Sequence, residues 1–113
     1  MYQIKHYCAE DGRDGFGDWL DALQDRSARA RIETRIDRLA LGLFGDMKTL
    51  RDGVCELRID TGPGYRVYYA FAGRALILLL CGGDKRSQRR DISRAVNYWR
   101  DFKRADNESH SEP

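Results

Sequence analysis

The sequence predicts an α+β fold, with a small antiparallel-dominated sheet, an N-terminal αα-hairpin and a C-terminal helix. Two patterns lead there. Apolar residues recur every second position over residues 1–8 and again in segments between 46 and 81, but every third or fourth position over 16–43 and 92–102. The elements therefore run as one strand, two helices, further strands and a last helix, not as the alternation of a parallel doubly wound fold. A third observation bounds the size: 113 residues, 42% hydrophobic and 11% aromatic, suit one domain with one core.

Met1 to Cys8 reads as the first strand, with Tyr2, Ile4, His6 and Cys8 on one side, and Glu10-Asp11-Gly12 breaks it. Phe16, Trp19, Leu20 and Leu23 make one stripe of a short helix. A second helix is expected from about Ser27 to Leu41, capped by Asp25 and stopped by Gly42, with Arg29, Arg31, Arg35 and Arg38 largely toward water. Asp46 to Leu50 is a short strand candidate. Val54 to Asp60 alternates cleanly, Thr61-Gly62-Pro63-Gly64 turns the chain, and Tyr65 to Phe71 returns. After Ala72-Gly73-Arg74, the run Ala75 to Cys81 is apolar on both faces and predicts a central strand, ended by Gly82-Gly83. Ile92, Ala95, Val96, Trp99 and Phe102 stripe a terminal helix from about Arg89 to Lys103. The helices are expected to cover one face of the sheet. The domain is drawn over residues 1–104, and the acidic, Ser-containing stretch 105–113 is expected to be a disordered tail.

The longest apolar run, Ala75 to Cys81, is too short to cross a bilayer, and Met1 to Tyr7 has no apolar signal core. A cytoplasmic protein with no membrane partner is the expectation. Cys8, Cys55 and Cys81 form no CxxC and are read as small buried hydrophobes; His6 and His110 lie at opposite ends. No metal and no cofactor are expected. Gly82-Gly83-Asp84-Lys85 lacks the Walker spacing, and no serine or cysteine has a histidine near it in sequence.

The net charge of +2 hides an uneven distribution. Residues 1–83 carry 12 basic and 12 acidic side chains, residues 84–104 carry 8 basic against 3 acidic, and residues 105–113 carry 3 acidic and none basic. Such a block meets a phosphate backbone or an acidic protein partner, or is simply a solvated helix face. In the hairpin closed by Thr61-Gly62-Pro63-Gly64, a register pairing even with even residues places Arg58, Arg66 and Tyr68 on one face, leaving Leu57, Ile59, Val67 and Tyr69 for the core. Two neighbouring arginines repel unless something negative lies between them. Glu56 and Asp60 could supply that charge internally, or a bound phosphate could supply it from outside. Lys85 and Arg86, at the sheet edge before the basic helix, would extend a positive concave surface suited to an RNA or DNA backbone.

Four segments, taken in order, resemble the RelE/ParE superfamily of toxins. They are Gly53-Val54-Cys55-Glu56-Leu57-Arg58-Ile59, Gly62-Pro63-Gly64-Tyr65-Arg66-Val67-Tyr68-Tyr69, Leu78-Leu79-Leu80-Cys81-Gly82-Gly83-Asp84-Lys85 and Gln88-Arg89-Arg90-Asp91-Ile92. The resemblance is closest to the HigB-like branch of addiction-module killer proteins, and covers about residues 1–103. It implies a RelE/ParE-like fold and the toxin of a type II toxin–antitoxin system, partnered by a cognate antitoxin in a hetero-oligomer. The implied activity is metal-independent cleavage of mRNA in the ribosomal A site, by attack of a ribose 2′-hydroxyl on the adjacent phosphate, which inhibits translation. By position, Arg66 matches the arginine that contacts the scissile phosphate. Arg58 matches a basic position that orients substrate or takes part in proton transfer, although a guanidinium is a poor base. Lys85, with Arg86, matches the basic loop that stabilises developing charge. Gln88, Tyr68, Arg89 and Arg90 complete the implied RNA-binding set, and Tyr68 is also a candidate base. Two departures stand out: Ile92 occupies the place of a RelE-type tyrosine, with Tyr98 the next one along, and no histidine lies between His6 and His110. The same superfamily contains ParE-like gyrase poisons without nuclease activity, and a non-catalytic protein-binding module would also account for the basic helix.

Overall fold

Two aspartates start the first two helices. Asp14 accepts from the Gly17 amide at 2.9 Å and opens α1 (Gly15–Ala22), and Asp25 accepts from the Ala28 amide at 3.1 Å and opens α2 (Arg26–Ala40). Each thereby satisfies one amide that a helix start leaves unpaired. Gly42 follows α2 at φ +80°, its amide on the Leu39 carbonyl, in the left-handed conformation that ends helices. The Asp25 cap and the Gly42 stop fall where the sequence reading puts them. The structure, a computed structural model, describes residues 1–110.

Five strands form one sheet in the order β1-β5-β4-β3-β2: β1 (Gln3–His6), β2 (Met47–Thr49), β3 (Val54–Ile59), β4 (Tyr65–Ala72) and β5 (Leu76–Asp84). Only the β1–β5 pair is parallel. A 3₁₀ turn (Lys85–Ser87) links β5 to α3 (Gln88–His110). The α+β class and the mainly antiparallel sheet therefore hold. Cys8 is exposed rather than buried, because β1 ends at His6 and leaves it beyond the paired segment. Cys55 and Cys81 are buried, and burial pushes the Cys81 thiol up to about 12. Among the described residues no helix is long and apolar enough to cross a membrane.

The expectation that all helices cover one face is corrected. α1 and α2 pack Phe16, Ala28, Ile32 and Leu39 against Leu57, Ile59, Val67 and Tyr69, while α3 packs Ala95, Val96 and Trp99 on the other face, against Val54, Tyr68, Ala70 and Leu80. The sheet needs both covers because β5 is apolar on both sides. Arg35 also departs from expectation. It turns from water to the sheet and donates to the carbonyls of Arg58 (2.7 Å) and Asp46 (3.2 Å), tying α2 to the end of β3.

Gly82 and Gly83 do not end the strand; β5 continues through both to Asp84. They are needed for space. A Cβ on Gly82 would enter the Trp19 ring on the α1 side, and one on Gly83 would enter the Asp91 carboxylate and approach Ser87 Oγ. The turn comes one residue later, where Asp84 caps the 3₁₀ segment by accepting from the Arg86 amide at 2.8 Å and the Ser87 amide at 3.3 Å. At the far end, α3 runs through Ala105–His110, past Lys103, where the sequence reading puts a disordered tail. No glycine or proline interrupts the chain there. Ser111, Glu112 and Pro113, the last part of that expected tail, lie outside the described residues.

Two outcomes follow from these contacts. Gly82→Ala should destabilise the fold by about 1–3 kcal/mol through overpacking against Trp19, read as a lowered urea midpoint; an unchanged midpoint would contradict the close approach. Partial burial alone would raise the Asp14 pKa, but hydrogen bonds from His6 and the Gly17 amide hold it below its usual 3.8. Ionised Asp14 therefore stabilises the fold above the unfolded-state pKa, and that stabilisation is lost as pH falls through the lower folded-state value. Asp14→Ala should cost about 1 kcal/mol at neutral pH. In urea titrations the gap to wild type should close on the acid side, and a gap independent of pH would contradict the assignment.

Candidate functional site

The β3–β4 turn sets the site. Gly62 and Gly64, at φ +54° and +82°, supply left-handed backbone around Pro63, and the strands leave in a register that pairs Arg58 directly with Arg66. Glu56, Arg58, Arg66 and Tyr68 thus share the α3 face, as even-with-even pairing requires. Glu56 is fully buried. Its Oε1 accepts from Arg58 Nε at 3.1 Å and lies 3.9 Å from Arg66 Nε, while its Oε2 accepts from Gln88 Nε2 at 2.7 Å. Of the two ways of quieting the arginine pair, the internal carboxylate is present, and it is Glu56; Asp60 is exposed and joins no ion pair among the described residues.

One carboxylate between two guanidiniums leaves a positive charge over. Arg66 is largely covered, with 13% side-chain exposure, and Arg58 is more open at 36%. Arg66 Nη1 donates to the Tyr65 carbonyl at 3.1 Å, whereas its buried Nε has no hydrogen-bond partner. Lys85 comes in beside it. A Cβ built on Gly64 would lie 3.5 Å from Arg66 Nη1 and 3.6 Å from Lys85 Cβ, so this glycine forms the floor between them.

A second buried carboxylate fixes the basic turn. Asp91 accepts from Ser87 Oγ at 2.5 Å and from Arg94 Nη2 at 2.9 Å, and its carbonyl meets Cys81 Sγ at 3.5 Å. Ser87 also closes the capping box with Asp84. An open depression lies alongside, lined by Asp84, Arg86, Ser87, Arg89, Arg90 and Ser93.

The basic block of residues 84–104 divides by position. Arg94, Arg100 and Arg104 pair with Asp91, Asp52 and Asp101, and Lys103 lies over the Trp99 ring at 5.2 Å. Arg86 pairs with Asp84 at 3.7 Å while 87% exposed. Lys85, Arg89 and Arg90 are exposed and have no carboxylate partner among the described residues. Unspent positive charge therefore gathers at the start of α3, beside the strand arginines, where the helix dipole is also positive.

The structure thus brings Arg58, Arg66, Lys85 and Gln88 together, with Arg86, Arg89 and Arg90 around the adjoining depression. Tyr68 is corrected. It lies on the expected face but wholly under α3, with its hydroxyl buried close to the Glu56 carboxylate. Burial first, then the nearby Glu56 carboxylate, raise its pKa, so it keeps its proton, and its side chain has no exposed surface. Tyr98 packs on Tyr7, at 5.0 Å between ring centroids, and Ile92 joins the apolar packing under α3. His6 donates to Asp14 at 2.7 Å and meets Phe16 edge-on, on the α1 side of the sheet. Among the described residues no group of three or more His, Cys, Asp and Glu side chains could hold a metal ion.

Sequence reasoning overlooked Asp91 and Ser87, and treated Glu56 only as a counter-charge. The signal for Asp91 was available: it stands four residues before Ala95, on the buried stripe of α3, where a carboxylate needs a partner.

Residues 18–100 match the family described as "Phage derived protein Gp49-like (DUF891)". A Haemophilus influenzae protein, itself described as uncharacterized, is 51% identical over 80 residues, which are 71% of this chain and 81% of that protein. The chain belongs to the Gp49-like family. The matched span holds β2 to β5, α2 and the residues of the cationic site.

Asp91→Ala removes the acceptor of Ser87 and Arg94 and should cost about 1–3 kcal/mol in urea unfolding. Stability equal to wild type would show that the buried carboxylate does not anchor the turn.

Proposed function

We propose that this chain is the toxin of a toxin–antitoxin pair, and that it cleaves mRNA on the bacterial ribosome. The observation that carries the reading is the pair of cross-strand arginines sharing one buried carboxylate, with an unpaired lysine beside them. Such a site attracts a phosphodiester and favours the extra negative charge that develops on it. Membership of the Gp49-like family, which is associated with addiction-module toxins, supports the same reading, as does the order of the ELR, GPGYR and GGDK segments.

In the proposed step the ribose 2′-oxygen attacks the adjacent phosphorus and the bond to the 5′-oxygen breaks. The products are a 2′,3′-cyclic phosphate and a 5′-hydroxyl; the attacking hydroxyl gives its proton to water, and the leaving oxygen takes one from Lys85 or from water. Arg66 and Arg58 bind the non-bridging oxygens, and Lys85 stabilises or protonates the leaving oxygen. Gln88 hydrogen-bonds nearby, and Arg86, Arg89 and Arg90 hold the flanking backbone. Acceleration rests on electrostatic stabilisation by these cations rather than on a buried tyrosine. The reading also carries a cytoplasmic location and a cognate antitoxin whose acidic groups cover Lys85, Arg89 and Arg90.

Pulsed expression should slow protein synthesis and yield mRNA whose new 5′ ends fall inside translated frames. DNA breaks and an SOS response with intact mRNA would instead establish a gyrase poison. Arg66→Ala should stay folded, through the Arg58 and Gln88 contacts to Glu56, but with reduced stability; it should restore growth and lower the cleavage rate per folded molecule by about 10²–10³-fold, the cost of losing one preorganised donor. A fully toxic Arg66→Ala would remove Arg66 from the site.

A further inference from the structure

Glu56 is an expensive residue in its place. Its even-numbered neighbour on the strand, Val54, and its cross-strand partner, Tyr68, both belong to the apolar packing under α3. An apolar side chain at 56 would continue that packing without burying a charge. What the carboxylate adds is orientation. Oε1 holds Arg58 by a hydrogen bond of 3.1 Å, and Oε2 holds Gln88, the first residue of α3, at 2.7 Å. Arg66 is treated differently. At 3.9 Å its Nε is within ionic reach of Oε1 but beyond hydrogen-bonding distance, and that buried Nε–H is left unsatisfied. The Nε is closed to solvent, so a ligand oxygen has to meet this guanidinium on its Nη side, which the loose pairing with Glu56 leaves free to adjust.

We propose that Glu56 is a positioning residue: it locks Arg58 and Gln88 by hydrogen bonds and holds Arg66 close but incompletely paired, so that a phosphate oxygen of the RNA completes the Arg66 contacts. The inference rests on the nuclease reading and deepens it. Glu56 itself, with no exposed surface, does not touch the substrate. It also prevents the two guanidiniums, in direct cross-strand register, from repelling one another out of position before RNA arrives.

The test compares wild type, Glu56→Gln and Glu56→Asp on bacterial ribosomes carrying a defined mRNA, with single-turnover cleavage rates measured against enzyme concentration. The side-chain Nε–H resonances of Arg58 and Arg66 are followed in the same labelled proteins. Glu56→Gln keeps the size and loses the charge. Its cleavage rate at saturation should fall by about 10–100-fold, the usual effect of removing a residue that orients a contacting group. The concentration for half-saturation should move much less, and both arginine resonances should shift. Glu56→Asp, which keeps the charge but retracts it, should fall between the two. A merely structural role would lower stability and leave the rate per folded molecule unchanged. Folded Glu56→Gln cleaving at the wild-type rate overturns the proposal. If Glu56→Gln does not fold, folded Glu56→Asp with the wild-type rate and unshifted resonances overturns it equally. Wild-type protein that leaves ribosome-bound mRNA intact defeats the nuclease reading itself, and this inference with it; that failure is visible in the wild-type arm alone.

Discussion

Two like charges facing each other across antiparallel strands destabilise the sheet unless a third group intervenes. In this protein the buried Glu56 carboxylate is that group, and the cationic end of the molecule depends on it. The turn at Gly62-Pro63-Gly64 sets the β3–β4 register, the register sets Arg58 against Arg66, and α3 seals the carboxylate from water. Gln88, reaching from the first residue of α3 to the same carboxylate, couples the helix start to the strands. A charge so placed is costly to bury and would be costlier to remove from its partners.

The remaining architecture serves to deliver groups to that end. α1 and α2 close one face of the sheet, so the other is free to receive α3. Gly82 and Gly83 let both covers approach β5 closely: Trp19 lies over the first, and Asp91 and Ser87 over the second. Asp91 then holds the turn that carries Lys85 and Arg86. Arg35, from the opposite side, ties the Arg58 carbonyl to α2. Charge follows the same logic. Later arginines of α3 are spent on Asp52, Asp91 and Asp101, whereas Lys85, Arg89 and Arg90 remain available.

Much of this was legible in the sequence, because period and punctuation are local signals. The alternation in Val54–Ile59, the turn before Tyr65, the Asp25 cap and the Gly42 stop all report on nearby backbone, and each appears in place. The shared face of Arg58 and Arg66 was legible too, since it needs only the turn and a period of two. What periodicity does not carry is which face a helix covers. Ala75 to Cys81 signalled burial on both sides, yet all the helices were expected on one face, and that error carried the fate of Tyr68 with it: a residue on the right face but under the helix. The two glycines misled for a related reason. Gly-Gly commonly marks a turn, but here the missing side chains make room for Trp19 and Asp91, which are distant in sequence. Cys8 was misplaced because the alternation of residues outlasts the pairing of the strand.

The central claim is that the end of the sheet around Arg66 receives an RNA phosphate. It is tested most directly by imaging the wild-type protein on a bacterial ribosome, with an A-site codon whose attacking 2′-hydroxyl is methylated. The account predicts the scissile phosphate within hydrogen-bonding distance of Arg66, with Arg58 and Lys85 flanking it and Glu56 still buried beneath. A complex in which this end of the sheet faces away from the mRNA, or in which the phosphate is held by other residues, would contradict it.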